Sequence, residues 1–419
     1  MITQQDVTLT TTASEAQLRP LLQFACARDR LNLGLSMVSR AVSKSSIDIG
    51  KMPLLGYIRM EVRDGFLLLA ATNLDISVTT KIELAEKEEV QEGVIAVPAR
   101  LFTDLVSKMP DGCRVKITVS AGAYMLYLEH PRGTAELKCM SAEEFLPIPN
   151  AQDGELPVLL PVVPLKDTIR SVSVAAARDD ALPALACIFV HVENNKLVFA
   201  ATDRFRTAHQ PLLLPTESNV TCDLLIPQRS LAELSAILPV EGMVMMSVTP
   251  NRGQVIFHTQ WMTLSSRLVE GSFPNYQAAI PARENRQARV IVKTAEFREI
   301  VQLASIYANA GEGAVCLSAK GSLGMEPGSL TVASELSEIG SGQNTITAAV
   351  EGQDQEPINF NARLLLDALS VTTTPDVALE IGLMKIKAKD QTITAYAGVL
   401  RPVGTNTCTH SFMSMATSQ

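Results

Sequence analysis

The chain has 419 residues, of which 47% are hydrophobic, 19% charged and 5% aromatic, with a formal net charge of −8. That length suits about three domains, whose cores Val, Ile, Leu and Ala must mostly fill. A general nucleic-acid binder is basic, so an acidic chain excludes that role unless its cations are concentrated locally.

Met1 to Gln17 is polar and lacks a charged flank ahead of an apolar run, so it does not read as a signal peptide. The apolar stretch Val158 to Leu165 carries two prolines and is too short to span a bilayer. Both point to a soluble, cytoplasmic chain. The seven cysteines (Cys26, Cys113, Cys139, Cys187, Cys222, Cys316, Cys408) are scattered without C-x-x-C spacing and read as free thiols.

In chain order, Leu31–Lys44 places Leu31, Leu35, Val38 and Val42 at helical spacing, and strand-like runs follow at 55–62, 65–71 and 76–82. A second helix is expected to start at Pro98, with Leu101, Leu105 and Val106 inward, followed by strands at 114–119 and 124–129. The order then repeats: a helix over 165–177, strands at 188–193, 196–201 and 206–214, a helix from Pro227, and strands at 244–248, 255–258 and 262–268. It repeats again with a helix over 294–308, strands at 314–319 and 329–334, a helix from Asn361, and strands at 377–383, 385–389 and 391–397. Gly311–Gly313 and Gly340–Asp354 read as enlarged loops, and Gly404–Gln419 as a polar, loose extension.

Short phrases recur in the same order. Ala71-Thr72-Asn73-Leu74-Asp75 returns 130 residues later as Ala201-Thr202-Asp203-Arg204-Phe205-Arg206. Val97-Pro98-Ala99-Arg100-Leu101 returns as Ile226-Pro227-Gln228-Arg229-Ser230-Leu231 and again as Phe360-Asn361-Ala362-Arg363-Leu364, while Glu144-Phe145-Leu146-Pro147 is echoed by Ser272-Phe273-Pro274. A period of domain size implies three similar α+β domains in tandem, at 1–155, 156–285 and 286–419, each built from two helix-plus-sheet halves.

Catalytic constellations are hard to find. His191-Val192-Glu193 matches half of a zinc deaminase signature without the P-C-x-x-C half, so His191 reads as an ordinary strand residue. No G-x-S-x-G or phosphate-cradling glycine motif occurs. Asp179-Asp180 lacks a third acid for a metal, and Asn219-Val220-Thr221 is a glycosylation triplet in a chain with no secretory signal. No metal, no cofactor and no catalytic residue is therefore expected. The charge is uneven, however. The six helix windows together carry +5, which leaves −13 for the remainder of the net −8. Helices facing one way would make that face attract phosphate while the rest repels it.

Val269-Glu270-Gly271-Ser272-Phe273-Pro274-Asn275-Tyr276-Gln277-Ala278-Ala279-Ile280-Pro281 resembles the G-x-F-P-x-Y-x-x-x-(I/L)-P segment of the bacterial DNA sliding clamp, the beta subunit of the replicative DNA polymerase III holoenzyme. Ala201-Thr202-Asp203 with Arg206 is similar to that family's A-T-D-x-x-R, and Phe360-Asn361 with Leu365-Leu366-Asp367-Ala368-Leu369 to its third-domain helix. The resemblance implies a DNA clamp fold in which one chain makes half of a closed ring, completed by a head-to-tail homodimer. Such a ring encircles duplex DNA without sequence preference and slides along it. It tethers the replicative polymerase, the clamp loader and other proteins carrying a clamp-binding motif; it is a non-catalytic processivity factor of the bacterial cytoplasm and nucleoid.

The DNA-facing candidates are then Arg40, Lys44, Arg100, Lys108, Lys166, Arg170, Arg178, Arg229, Arg298 and Arg363. The partner-peptide cleft between the second and third domains would use Leu185, Thr202, Arg206, Thr207, Pro274, Ala279, Val399, Leu400 and Pro402, whose apolar walls suit a Leu or Phe anchor while Arg206 pairs a peptide carboxylate or carbonyl. The chain departs from the family where Arg204-Phe205 replace a Gly-His pair, Thr207 a hydrophobe, and Arg401-Pro402-Val403 a Met-Pro-Met. These departures favour, as an alternative, a diverged clamp-like scaffold that does not encircle DNA. An enzyme on repeated α+β domains is the third reading.

Overall fold

The computed structural model describes residues 20–84, 90–179, 182–193, 195–216, 221–336, 340–388, 391–404 and 408–415. Two compact units emerge, Met1–Pro149 with Gln260–Ser265, and Asn150–Thr259 with Ser266–Gln419. The first repeat contains β1 (Leu22–Ala27), α1 (Arg28–Val38), α2 (Ser46–Lys51), β2 (Tyr57–Arg63), β3 (Phe66–Thr72), β4 (Ile76–Glu83), β5 (Gly93–Pro98), α3 (Ala99–Ser107), β6 (Arg114–Val119), β7 (Met125–His130) and β8 (Gly133–Lys138). The second contains β9 (Glu155–Pro161), α4 (Val162–Ser173), β10 (Cys187–Glu193), β11 (Lys196–Thr202), β12 (Arg206–Leu213), β13 (Cys222–Pro227), α5 (Gln228–Ile237), β14 (Met243–Val248), β15 (Gln254–His258) and β16 (Met262–Arg267). The third contains β17 (Arg286–Lys293), α6 (Thr294–Ala310), β18 (Ala314–Lys320), β19 (Ser329–Leu336), β20 (Gly340–Thr347), β21 (Ala349–Gly352), β22 (Gln355–Asn361), α7 (Ala362–Val371), β23 (Asp376–Ala388), β24 (Gln391–Pro402) and β25 (Thr409–Met413).

Every repeat follows one pairing rule. The strand before the first helix joins the strand after the second helix, as β1 with β6, β9 with β14 and β17 with β23. The strand before the second helix joins the first strand after the first helix, as β5 with β2, β13 with β10 and β22 with β18. All these pairs are antiparallel, so each repeat contributes strands to two different sheets. The helix ahead of each strand set buries an apolar stripe: Leu31, Leu35 and Val38 of α1, Leu165, Ile169 and Val172 of α4, and Phe297, Val301 and Ala304 of α6. The third repeat's core gathers these α6 side chains with Phe360, Leu365, Leu379, Leu400 and Phe412.

Several expectations needed correction. Strands open each half, whereas helices were expected to do so. Pro98 and Pro227 end those strands as N-cap residues and are not the first helical residues, and Pro161 holds the same place ahead of α4. A ring that fixes φ and lacks an N–H suits a strand's last residue as well as a helix's first. In α3 the buried face is Ala99, Phe102 and Val106, and Leu101 is exposed, so the helix is turned from the register expected. The helix expected over 31–44 ends at Val38 in a short 3-10 turn. Gly340–Asp354 forms β20 and β21, not a loop, because its backbone pairs with β19 and β17.

Gly404–Gln419 is likewise not a loose tail across its described part: Thr409–Met413 is a buried strand. It lies between β12 and β24 in the nine-stranded order β13-β10-β11-β12-β25-β24-β23-β17-β21, which runs through the second and third repeats. With a single large aromatic, Phe412, its sequence carries no apolar alternation; backbone pairing on both edges makes it a strand. The expectations for 1–17, Asp180 and Asn219-Val220 lie outside the described residues. No helix among the described residues is long and apolar enough to cross a membrane.

Candidate functional site

The recurring Ala-Thr-polar phrase builds a turn at the end of a strand. In the first repeat Thr72 Oγ1 donates to the Ile76 carbonyl (3.1 Å) and accepts from Leu74 N, while Asn73 Oδ1 accepts from Asp75 N and Ile76 N. In the second, Thr202 Oγ1 donates to the Arg206 carbonyl (2.6 Å) and accepts from Arg204 N, while Asp203 Oδ1 accepts from Phe205 N and Arg206 N. Leu74 and Arg204 both sit at left-handed φ, +77° and +79°. Asx and Ser/Thr side chains hold such turns by replacing backbone hydrogen bonds.

The second turn carries Arg206, whose side chain is 8% exposed. Its Nε lies 2.9 Å from Asp203 Oδ2 and its Nη1 2.7 Å from Asp367 Oδ2 on α7. Arg206 therefore ties the second repeat to the third, with two of its nitrogens already engaged by carboxylates. Beside it opens a cavity of about 390 Å³, lined by Leu182, Leu185, Arg204, Phe205, Arg206 and Leu364 along with Arg178, Asn361 and Arg363. Leu185 and Arg206 of the cleft candidates thus meet Arg178 and Arg363, two residues expected to face DNA. Asn361 and Leu364, to which no role was given, also face this cavity; their signal was their position in the repeated helix-start phrase.

The remaining cleft candidates are mostly covered. Thr202, Thr207, Val399 and Leu400 are buried, Ala279 and Pro402 are half-buried, and Pro274 is exposed. Arg206, Thr207, Val399 and Leu400 are all register partners of β25 residues. Ser411 Oγ donates to the Ala279 carbonyl at 2.6 Å, and Pro402 lines a small cavity of about 120 Å³ with Arg170, Cys408 and His410. Phe273, from the Phe-Pro segment, stacks on Phe189 at 5.1 Å between centroids.

Burial depresses the histidines here. His410 is pushed down to about 3, chiefly by desolvation and then by the Arg206 and His209 charges. His209 is pushed down to about 4 by desolvation and the Arg401 charge. Both are neutral at pH 7. Desolvation also raises the Cys408 thiol, leaving it unreactive in the folded chain.

The cationic candidates fall into two groups. Arg40, Lys44, Arg100, Lys108, Arg170, Arg178, Arg229 and Arg363 are exposed. Lys44 and Arg100 share a cavity of about 510 Å³ with Ser39, Ser43 and Thr103, and Arg170 pairs with Asp167 at 3.1 Å. Lys166 and Arg298 are half-buried and reach across to helix ends. Lys166 donates to the Leu238 and Pro239 carbonyls after α5, and Arg298 to those of Leu369 and Thr372 at the end of α7. Arg28 does the same for Val106 and Ser107 at the end of α3. Each repeat thus caps its second helix with a cation from its first, satisfying end carbonyls and opposing the helix dipole. Elsewhere, His191 is held by Asp223 at 2.6 Å on the β10–β13 pair.

Three family models match in sequence order: the N-terminal domain of the DNA polymerase III beta subunit over residues 22–149, its central domain over 160–275 and its C-terminal domain over 277–387. The chain is 28% identical over 366 residues to the Beta sliding clamp of Synechococcus elongatus, covering 86% of this chain and 92% of that one. It is 29% identical over 357 residues to the Beta sliding clamp of Bacillus subtilis, covering 84% and 90%. The crystal structure of the DNA polymerase sliding clamp from Bacillus subtilis is similar with a TM-score of 0.81 at 26% identity, over 94% of this chain and 99% of that one. The beta subunit of the DNA polymerase of Streptococcus pyogenes shares the fold, with a TM-score of 0.82 at 20% identity over 94% and 100%.

Proposed function

The chain belongs to the bacterial DNA sliding clamp family, the beta subunits of DNA polymerase III, and we propose that two copies of it close head to tail around duplex DNA. It is a processivity factor of DNA replication and a non-catalytic accessory subunit. The observation that carries the reading is the ordered run of three beta-subunit domains from residue 22 to residue 387. Retention on DNA is then topological. No base contact is needed, and a modest cationic lining holds the phosphates without pinning the ring to one site. Exposed Arg40, Lys44, Arg100, Lys108, Arg170, Arg178, Arg229 and Arg363 supply that lining, with Lys166 and Arg298 contributing beside their helix-end contacts.

Edge strands support self-association. β8 and β20 each have a strand neighbour on one side only among the described residues, leaving one row of backbone groups open to another chain. The domain division proposed is 1–155, 156–285 and 286–419, its first boundary falling just inside β9, which opens the second repeat. Partner peptides from the polymerase, the clamp loader and related proteins dock in a cleft assigned to Leu185, Thr202, Arg206, Thr207, Pro274, Ala279, Val399, Leu400 and Pro402, of which Leu185 and Arg206 line the open cavity, and the protein works in the cytoplasm at the nucleoid.

Two measurements test this. Light scattering should give a particle of twice the 45.2 kDa chain. Protein loaded on circular DNA should be retained and then released when the circle is linearised. A monomer, or retention that ignores linearisation, would leave the scaffold reading in its place.

A further inference from the structure

We propose that the 390 Å³ cavity beside Arg206 selects an acidic partner segment, with Arg178, Arg204 and Arg363, and not Arg206, receiving the carboxylates that flank the segment's Leu or Phe anchor. The proposal rests on the cleft reading above and names what that cleft prefers.

Arg206 is already committed. It is buried, its Nε is held by Asp203 and its Nη1 by Asp367. A guanidinium between two carboxylates has little charge left to offer a third, so the expectation that Arg206 pairs a peptide carboxylate gives way to a tie within the fold. Those two aspartates are neutralised in the same contact, and Asp179, the other acid in the wall, is partnered as well. The remaining cations of the wall differ. Arg178, Arg204 and Arg363 are exposed, and none has an ion-pair partner among the described residues. Three such guanidiniums around one cavity repel one another, in a chain whose net charge is −8. An incoming carboxylate relieves that repulsion and gains charge-assisted hydrogen bonds.

Three separate elements bring these arginines together. Arg178 follows α4, Arg204 lies on the turn between β11 and β12, and Arg363 is in the first turn of α7. Asn361 caps α7 by accepting from Arg363 N and Leu364 N, and all three residues line the cavity, so the positive end of that helix lies at the same place.

The turn itself shows that Arg204 and Phe205 are not there to make it. The first repeat builds the same turn with Leu74 and Asp75, and φ at Arg204 is +79°, which a glycine would adopt without strain. Arginine stands there despite that strain, and Phe205 beside it leaves its side chain 70% exposed while its carbonyl accepts from Met413 N. Strain kept at a cavity wall points to a ligand. Leu182, Leu185 and Leu364 form the apolar part of the wall, with Leu182 42% exposed, so an aliphatic or aromatic anchor gains burial between them.

The test uses full-length protein and two fluorescein-labelled peptides ending in an amide, Ser-Asp-Glu-Asp-Leu-Phe and Ser-Asn-Gln-Asn-Leu-Phe, read by anisotropy. An exposed arginine–carboxylate pair shifts affinity about two- to fivefold, so three should favour the acidic peptide about tenfold. That advantage should shrink as NaCl rises from about 0.1 to about 1 M and the Debye length falls from about 10 to about 3 Å. Arg204→Gly suits the left-handed turn and so keeps the fold; it should weaken the acidic peptide about two- to fivefold and leave the neutral one unchanged. Arg363→Gln should do the same, and the two together should remove most of the advantage.

Equal affinity of the parent protein for both peptides overturns the proposal and leaves the cleft reading intact. So does an acidic preference that neither substitution diminishes, because the carboxylates would then be received elsewhere. If neither peptide binds the parent, or if Leu364→Asp leaves both affinities untouched, the cleft reading fails and the proposal fails with it.

Discussion

Replacing Arg206 with alanine should destabilise the second unit by an amount that its surroundings define. The guanidinium is 8% exposed and bridges Asp203 and Asp367 at 2.9 and 2.7 Å. Breaking a fully buried pair by deleting one member costs about 3–5 kcal/mol, because a charge is left without compensation. Here the carboxylate side chains are 18% and 26% exposed, so water reaches both. Asp203 also keeps its bonds from Phe205 N and Arg206 N through Oδ1. The expected cost is therefore about 2–3 kcal/mol, most of it from stranded Asp367. Urea unfolding of Arg206→Ala, Asp367→Ala and the double variant closes a double-mutant cycle. The double variant should be more stable than the sum of the single losses implies, by about 1–2 kcal/mol. Losses that add to within about 0.5 kcal/mol would refute the view that this ion pair couples the two repeats.

Arg204→Gly should raise stability by about 0.5–1 kcal/mol in the same denaturation assay, since a left-handed φ of +79° strains any residue with a Cβ; no gain, or a loss, counts against turn strain there. Acid should weaken the fold through His410 and His209, whose folded values of about 3 and 4 lie below the ordinary 6.5. The unfolded chain binds protons first, so their stabilisation is complete above pH 6.5 and is lost as pH falls through that value toward 4, by roughly 1 kcal/mol per histidine per pH unit. The charges facing them are Arg206, Arg401 and each other, with Asp203, Asp367 and Glu380 behind the arginines. His410→Gln should flatten the stability profile between pH 6.5 and 5, and a profile parallel to the parent would show that His410 does not carry it. Arg170→Glu, on the exposed side of α4, should shorten retention on circular DNA with the unfolding midpoint unchanged; unaltered retention removes Arg170 from the lining.

The tandem architecture was legible in the chain because a repeat preserves what its turns require. Thr72 and Thr202 make the same two hydrogen bonds, and Leu74 and Arg204 adopt the same backbone, so the phrases survived where side chains elsewhere drifted. The helices' buried stripes were equally visible, being local and periodic. Tertiary structure alone decided the rest. The pairing of β1 with β6 or β17 with β23 joins segments far apart in sequence, and no local pattern encodes which distant strand completes a sheet. Lys166 and Arg298 looked like surface cations until the opposite helix ends came within reach. Thr409–Met413 had no apolar rhythm to announce it, since both of its edges are bonded through backbone and only Phe412 needed to be large. Composition records what a segment can bury; which carbonyls it meets depends on neighbours that the fold alone brings together.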